Sequence, residues 1–239
     1  MNIALLTAGG IGNRMGQDIP KQFMCIDNKP VIIYTLQAFQ NHTEVDAIAV
    51  VCLHGWEVVL QSYANQYGIT KLKWIFEGAD TNQGSILNGI EGLKQNGCDD
   101  SDIVIIQDGV RPLVSEEIIS SNIKTCQEFG YAVTGLTCKE AIMELCDGKL
   151  SDIDIPRERL VRTQTPHTYR LGTLLDAHGR AEELGICNTV ASCTLISMIG
   201  IKEQHLVEGS EKNGLKLTRP QDIELFKALI HSDPEPWIK

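Results

Sequence analysis

A short run near the amino end combines glycines with two cations: Thr7-Ala8-Gly9-Gly10-Ile11-Gly12-Asn13-Arg14-Met15-Gly16, followed by Pro20-Lys21-Gln22-Phe23. Glycines let a backbone approach a ligand closely, and the amides exposed in such a turn can cradle phosphate. Arg14 adds a fork of donors suited to phosphate oxygens, and Lys21 a compact point charge. From Gly10 the spacing reads G-x-G-x-x-x-G, which is not the dinucleotide fingerprint. No Lys-Ser/Thr follows, so it is not the phosphate loop of the NTPases either. The glycines alone are equally consistent with a tight turn. Arg14 and Pro20-Lys21-Gln22 tip the reading toward a nucleotide-phosphate site.

Further chemistry-bearing segments follow. Ile103-Val104-Ile105-Ile106-Gln107 runs into Asp108-Gly109-Val110-Arg111-Pro112. An Asp at the carboxyl end of a buried strand is placed to hold a hard cation through oxygen, although it can equally begin a turn. Gly78-Ala79-Asp80-Thr81-Asn82-Gln83-Gly84-Ser85 opens a helix. It offers backbone groups and a hydroxyl to a base edge, with a plain N-cap at Asp80 or Thr81 as the alternative. Arg157, Arg159 and Arg162 crowd into six residues ahead of Thr163-Gln164-Thr165-Pro166-His167. Such a cluster is either a solvated surface run or, in an acidic chain, an anion clamp. Asn213-Gly214-Leu215-Lys216-Leu217-Thr218-Arg219-Pro220-Gln221-Asp222 reads as a cation-bearing loop entering a helix with Pro in its first turn.

These segments need elements to position them. Apolar, β-branched runs predict strands at Ile3–Thr7, Ala47–Leu53, Leu72–Phe76, Ile103–Gln107, Ala132–Thr137 and Gln204–Glu208. Helical periods predict helices at Pro30–Asn41, Trp56–Tyr67, Asn82–Gln95, Glu116–Phe129, Leu171–Leu184 and Pro220–His231. Alternation of the two predicts an α/β fold with a mostly parallel sheet, ligands binding outside the carboxyl ends of the strands. The polar stretch Glu140–Arg162 breaks the rhythm and reads as a loop or a protruding β-arm.

Composition narrows the class. The 239 residues are 43% hydrophobic and 22% charged, and 21 Lys+Arg against 31 Asp+Glu leave a net charge of −10. That excludes a disordered chain and argues against a nucleic-acid binder, while leaving room for a local cationic site. No apolar run approaches the length of about 18 residues that would cross a membrane, and the opening residues lack a secretory leader pattern. None of the eight cysteines forms a C-x-x-C pair, so the expectation is reduced thiols in the cytoplasm, with no zinc site. The six histidines show no ligand spacing and read as surface or core-edge residues, and the tryptophans as packing residues.

Over nearly its whole length the chain resembles the cytidylyltransferases that make CDP-linked polyols, from 2-C-methyl-D-erythritol 4-phosphate or ribitol 5-phosphate. The likeness is carried by A-G-G-x-G-x-R-M with P-K-Q-F, by Asp108-Gly109-Val110-Arg111-Pro112 against H-D-A-A-R-P, by Gln164-Thr165-Pro166, and by Lys216 within a motif one residue longer than usual. The resemblance implies a single three-layer, Rossmann-like nucleotidyltransferase domain of the glycosyltransferase-A-like kind over residues 1–239, with a dimerisation arm at 138–162. It implies catalytic roles for Arg14, Lys21 and Lys216, and nucleotide contacts from Ala8, Gly9, Gly10, Gly12, Ala79, Asp80 and Ser85. It further implies acceptor contacts from Arg111, Arg157 and Thr165, Arg157 reaching the neighbouring subunit, and Mg²⁺ on Asp108. The partners implied are CTP and a small polyol phosphate in a homodimer, with a product feeding isoprenoid or cell-wall polymer synthesis. Departures fall on both sides. Gln107, Ala79 and Asn82 stand where His, Gly and Arg are usual. On the acceptor side Ala141 lacks an expected hydroxyl, and Val190-Ala191 replace a Thr-Asp pair unless the register slips to Thr189. The expectation is a retained nucleotide half and an altered acceptor. Two rivals stay open from the residues: a dinucleotide-dependent oxidoreductase, disfavoured by Leu53-His54 where an acidic residue should end the second strand, and a catalytically silent nucleotide-binding module.

Overall fold

A computed structural model describes residues 1–10, 19–146, 148, 151 and 153–232. Gly12, Arg14 and the tail from 233 lie outside the described residues. The strands are β1 (Asn2–Ala8), β2 (Cys25–Ile26), β3 (Lys29–Pro30), β4 (Ala47–Cys52), β5 (Leu72–Glu77), β6 (Ile103–Asp108), β7 (Tyr131–Thr137), β8 (Ile142–Glu144), β9 (Ile153–Ile155), β10 (Val161–Arg170) and β11 (Leu206–Glu208). The helices are α1 (Val31–Asn41), α2 (Glu57–Gln66), α3 (Asn82–Gln95), α4 (Glu116–Phe129), α5 (Leu171–Glu183), α6 (Ser192–Met198), α7 (Glu211–Gly214) and α8 (Pro220–His231).

Seven strands form one sheet in the order β11-β7-β10-β6-β1-β4-β5. β4 and β6 flank β1 in parallel, β5 continues from β4, and β11 runs parallel to β7. Both sheet faces are covered, which is why β1, β4 and β6 read as continuous apolar runs rather than alternating ones. Ala4, Leu6, Ile48, Val50 and Ile105 face one core with Leu36 and Phe39 of α1, Leu60 of α2 and Ile119 and Ile123 of α4. Ile3, Leu5, Val51 and Val104 face the other with Ile90 and Leu93 of α3, Leu174 of α5 and Ile196 of α6. Thr81 and Ser115 cap α3 and α4 by accepting from the amides of Gly84 and Ile118. Of the two N-cap candidates before α3, the cap is therefore Thr81.

The main departure from the sequence pattern is β10. Hydrophobic patterning assigns no strand to 161–170, because Val-Arg-Thr-Gln-Thr-Pro-His-Thr-Tyr-Arg carries few apolar residues and a proline. The structure inserts this segment antiparallel between β6 and β7, with a register shift between Thr163 and His167. Its polar side chains find partners inside: Asn122 donates to Thr134 at 2.8 Å, Thr134 donates to the Pro166 carbonyl at 2.8 Å, and Thr168 donates to Asn122 at 3.3 Å. Reversal also carries the first residues of β10 to the carboxyl edge of the parallel strands. The short helices α6 and α7 likewise escape the periodicity test, being too brief to show a period. β8 and β9 pair only with each other, as a small ribbon within the segment expected as an arm. No helix among the described residues is long and apolar enough to cross a membrane.

The core makes a direct prediction. Phe39 is fully buried, so Phe39→Ala should lower unfolding free energy by about 3–5 kcal/mol. Urea denaturation should show the midpoint falling at an unchanged slope.

Candidate active site

In a doubly wound sheet the ligand crevice lies where strand order reverses, outside the carboxyl ends. Here that point is between β1 and β6, whose register aligns Thr7 with Asp108. A cleft of about 560 Å³ opens there, within the range of ligand sites. Ala8, Gly9, Gly10, Lys21, Ala79, Asp80, Ser85, Asp108 and Lys216 all line it. A second pocket of about 180 Å³ continues from it, sharing Asp108 and Lys216 and adding Arg111, Thr165 and His167.

Local chemistry explains how the glycine turn is held. Gln22, fully buried in the short 3-10 turn Lys21–Phe23, donates to the Ala8 carbonyl at 2.7 Å and to the Gly10 carbonyl at 3.1 Å. Phe23 stacks on Trp56 at 4.7 Å, fixing that turn and confirming the packing role of this tryptophan. The β1 and β5 turns nearly touch. A Cβ on Gly78 would lie 3.0 Å from the Cys52 carbonyl oxygen and 3.1 Å from Gly9 Cα, so a larger residue would press the two turns apart by a few tenths of an ångström. Ser85 does not project freely into the cleft: its hydroxyl accepts from the Ala79 amide at 3.0 Å and donates to the Ala79 carbonyl at 3.2 Å. It therefore shapes the turn that presents Ala79 and Asp80.

At the junction of the two pockets Asp108 carries the charge pattern. Arg111 Nε donates to Oδ2 at 2.8 Å, and Lys216 Nζ spans Oδ1 and Oδ2 at 3.0 Å each. The Asp108 amide donates to Thr165 Oγ1 at 3.1 Å. Burial pushes the Asp108 carboxyl up, but Lys216 and Arg111 outweigh it and hold the group below the usual carboxylate range. Lys216 is placed by its own loop. Arg111 Nη1 bonds the Gly214 carbonyl, the Leu217 amide donates to the Val110 carbonyl at 2.9 Å, and Leu217 packs with Val110, Val31 and Phe226. Buried Asn213 donates to Gln164 Oε1 at 2.8 Å and to the Thr165 carbonyl at 3.1 Å, tying the same loop to β10. A Cβ on Gly214 would meet Gln164 Nε2 at 2.6 Å, which accounts for glycine beside that knot.

Among the sequence-predicted residues, Arg157 stands apart. It lies on an exposed turn beyond β9, its Nη1 donating to the Lys139 carbonyl at 2.7 Å, and it lines neither pocket of its own chain. Val190 and Ala191 do line the second pocket, while Thr189 is buried with its amide on Gln83 Oε1 at 3.0 Å. The sequence reading gave no role to Gln22, Gln164 or Asn213, although all three stand inside quoted motifs. The histidine reading needs correction. His42, His167 and His178 are buried, and His167 lines the second pocket. Periodicity gave no warning, because His167 is buried by the strand reversal of β10. No group of three His, Cys, Asp or Glu side chains suited to a metal exists among the described residues, and no disulfide joins them.

Burial pushes both His167 and His178 down to about 4. Their folded values lie below the unfolded value near 6.5, so the unfolded chain binds more protons between those limits. Stability should therefore fall as pH drops from about 6.5 to 4, by up to about 2.7 kcal/mol per pH unit for the pair. Depressed Asp108 adds a further loss below its unfolded value near 3.9. Urea unfolding across pH 4–7 measures the slope; a flat profile excludes neutral burial of these rings.

The comparisons agree with the geometry. The family model described as 2-C-methyl-D-erythritol 4-phosphate cytidylyltransferase (IspD) matches residues 2–232. A ribitol-5-phosphate cytidylyltransferase of Lacticaseibacillus paracasei is 40% identical, the alignment covering 96% of this chain and 98% of the relative. A 2-C-methyl-D-erythritol 4-phosphate cytidylyltransferase of Clostridium acetobutylicum is 33% identical over 96% of this chain and 97% of the relative. The crystal structure of a 4-diphosphocytidyl-2C-methyl-D-erythritol synthase from Anaerococcus prevotii superposes with a TM-score of 0.79 over 96% of each chain, at 22% identity, and shares the fold. With its glycine turn, its Asp108 triad and this full-length match, the chain belongs to the 2-C-methyl-D-erythritol 4-phosphate cytidylyltransferase family.

Proposed function

We propose that this chain transfers the cytidylyl group of CTP to the phosphate of a linear polyol phosphate, with release of pyrophosphate, and that ribitol 5-phosphate is its preferred acceptor. The observation that carries the reading is the meeting of Lys21, Asp108 and Lys216 on one cleft at the switch point of the sheet. In this reading a phosphate oxygen of the acceptor forms a bond to the α-phosphorus of CTP. The bond from that phosphorus to the bridging oxygen breaks, and its electron pair leaves on pyrophosphate. A phosphate monoester is already anionic near neutral pH, so no side chain needs to remove a proton. The barrier is the approach of two polyanions, and positioning with charge stabilisation lowers it.

Lys21 and the glycine turn serve the triphosphate. Lys216 sits where both pockets meet and answers charge shared by the reactants. Arg111 holds the acceptor phosphate in the second pocket. Asp108 keeps Arg111 and Lys216 apart and aimed. A carboxylate offers about four acceptor positions and these two cations use three, which leaves one for a metal ion. That fits Mg²⁺, which takes one or two carboxylates and completes its shell with substrate phosphates. Bound there, Mg²⁺ would supply further neutralisation of phosphate oxygens.

Ribitol 5-phosphate is favoured because Val190-Ala191, which an ungapped match sets against the Thr-Asp pair of methylerythritol enzymes, line the second pocket, whereas Thr189, which a one-residue slip would set there instead, is buried; and because the named ribitol enzyme is the nearer of the two relatives described. Five of the eight cysteines are buried as small apolar side chains, which fits reduced thiols and a cytoplasmic location. A homodimer is supported by the β8–β9 ribbon, which leaves Met143, Leu145 and Ile153 each about half exposed or more. Packed against a second copy, the ribbon would bring Arg157 to the partner's acceptor pocket.

Pyrophosphate release measured with four nucleoside triphosphates and a panel of polyol phosphates tests the reading. CTP with ribitol 5-phosphate should give the highest kcat/KM, and 2-C-methyl-D-erythritol 4-phosphate a lower one. Lys21→Ala and Lys216→Ala should each lose about 10²–10³ in rate with the circular dichroism of the parent. Near-native turnover in either removes that lysine from the mechanism. Sedimentation should give a dimer, with Arg157→Ala raising the acceptor KM and sparing that of CTP; a monomer excludes Arg157 from the site.

A further inference from the structure

Four buried side-chain atoms among the described residues have no hydrogen-bond partner: Gln107 Oε1, His167 Nε2, Ser192 Oγ and Asn213 Oδ1. Two of these, His167 Nε2 and Ser192 Oγ, belong to residues lining the same 180 Å³ pocket. They arrive from different elements, His167 from the reversed strand β10 and Ser192 from the first turn of α6. Both residues are buried, at 2% and 4% exposure. An unsatisfied buried polar group costs about 1–3 kcal/mol. Two such groups on residues of one small pocket, which Ile86 and Ile106 line beside the charged Asp108, Arg111 and Lys216, mark a place kept for a hydrogen-bonding ligand.

The ring chemistry selects the kind of ligand group. Burial keeps the His167 imidazole neutral, so the ring offers one donor and one acceptor nitrogen. Nε2 is a buried ring nitrogen without a partner, and it has a hydrogen bond still to make. The Ser192 hydroxyl rotates and serves as donor or acceptor. An alcohol is the group that suits both. At about 180 Å³ the pocket has room for a short hydroxylated carbon chain but not a second nucleotide.

We infer that His167 and Ser192 are the residues that read the hydroxyls of the acceptor's carbon chain, and that they set which polyol phosphate is used. This rests on the polyol-phosphate transfer proposed above.

The test is a cross of enzyme variants with single-deoxy analogues of ribitol 5-phosphate, read by pyrophosphate release at saturating CTP. For the parent enzyme, removing the hydroxyl that is read should lower kcat/KM by about 10- to 100-fold. His167→Leu and Ser192→Ala should show a similar fall with ribitol 5-phosphate, at an unchanged KM for CTP. The same variants should no longer distinguish ribitol 5-phosphate from the deoxy analogue. His167→Gln, which restores a hydrogen-bonding group, should recover part of the loss. If the parent enzyme treats every deoxy analogue like ribitol 5-phosphate, the inference fails whether or not the variants fold. If folded variants keep the full discrimination, it also fails while the transfer reaction stands. If no polyol phosphate supports pyrophosphate release from CTP, the proposed function fails and takes this inference with it.

Discussion

One carboxylate governs the geometry of the cleft. Asp108 ends a buried parallel strand, where ionisation alone would be costly. It remains charged because Arg111 and Lys216 reach it within 3.0 Å. The dependence is mutual, since those two cations would repel each other across the junction without an anion between them. The triad therefore fixes β6, the turn after it and the loop carrying Lys216 as one unit. Arriving phosphates can take up the same cations with little rearrangement, which is the condition for preorganised charge stabilisation. A chain with a net charge of −10 thus keeps Lys21 and Lys216 together on one cleft.

The reversed strand β10 ties the rest to that unit. Its first residues reach the carboxyl edge of the sheet, where Thr165 accepts from the Asp108 amide and Gln164 locks the loop leading to Lys216. Its preceding residues lead back to the exposed ribbon and Arg157. A single strand thereby connects the smaller pocket to the exposed β8–β9 ribbon. The polar composition that hides β10 from hydrophobic patterning is the composition the site requires.

The two pockets differ in what lines them. The larger one takes in the glycines after β1 and β5, with Gln22 holding the Ala8 and Gly10 carbonyls and Gly78 admitting the neighbouring turn. Such a surface suits phosphate and base edges. The smaller one is built from side chains, among them Arg111, Thr165, His167 and Ser192. Under the proposed function, side chains of the smaller pocket can change without disturbing the sheet, so acceptor choice can diverge while the nucleotide half persists.

Much of this was legible in the amino-acid order. The apolar runs marked six of the seven sheet strands, and helical periods placed α3, α4 and α8 at their observed limits. Glycines followed by Lys21, Asp108 at a strand end and Lys216 before a proline named cleft residues correctly, because strand ends in a parallel sheet share one edge. Local pattern could not reveal β10, since a polar segment becomes a central strand only when its neighbours satisfy its hydrogen bonds. Nor could it show that His167 is buried beside Ser192, or that Asn213 and Gln164 hold the Lys216 loop. The sequence by itself determined which groups carry charge and which runs must be buried. Only the tertiary structure decided which of them meet, because reversing one strand brings together residues that are distant along the chain.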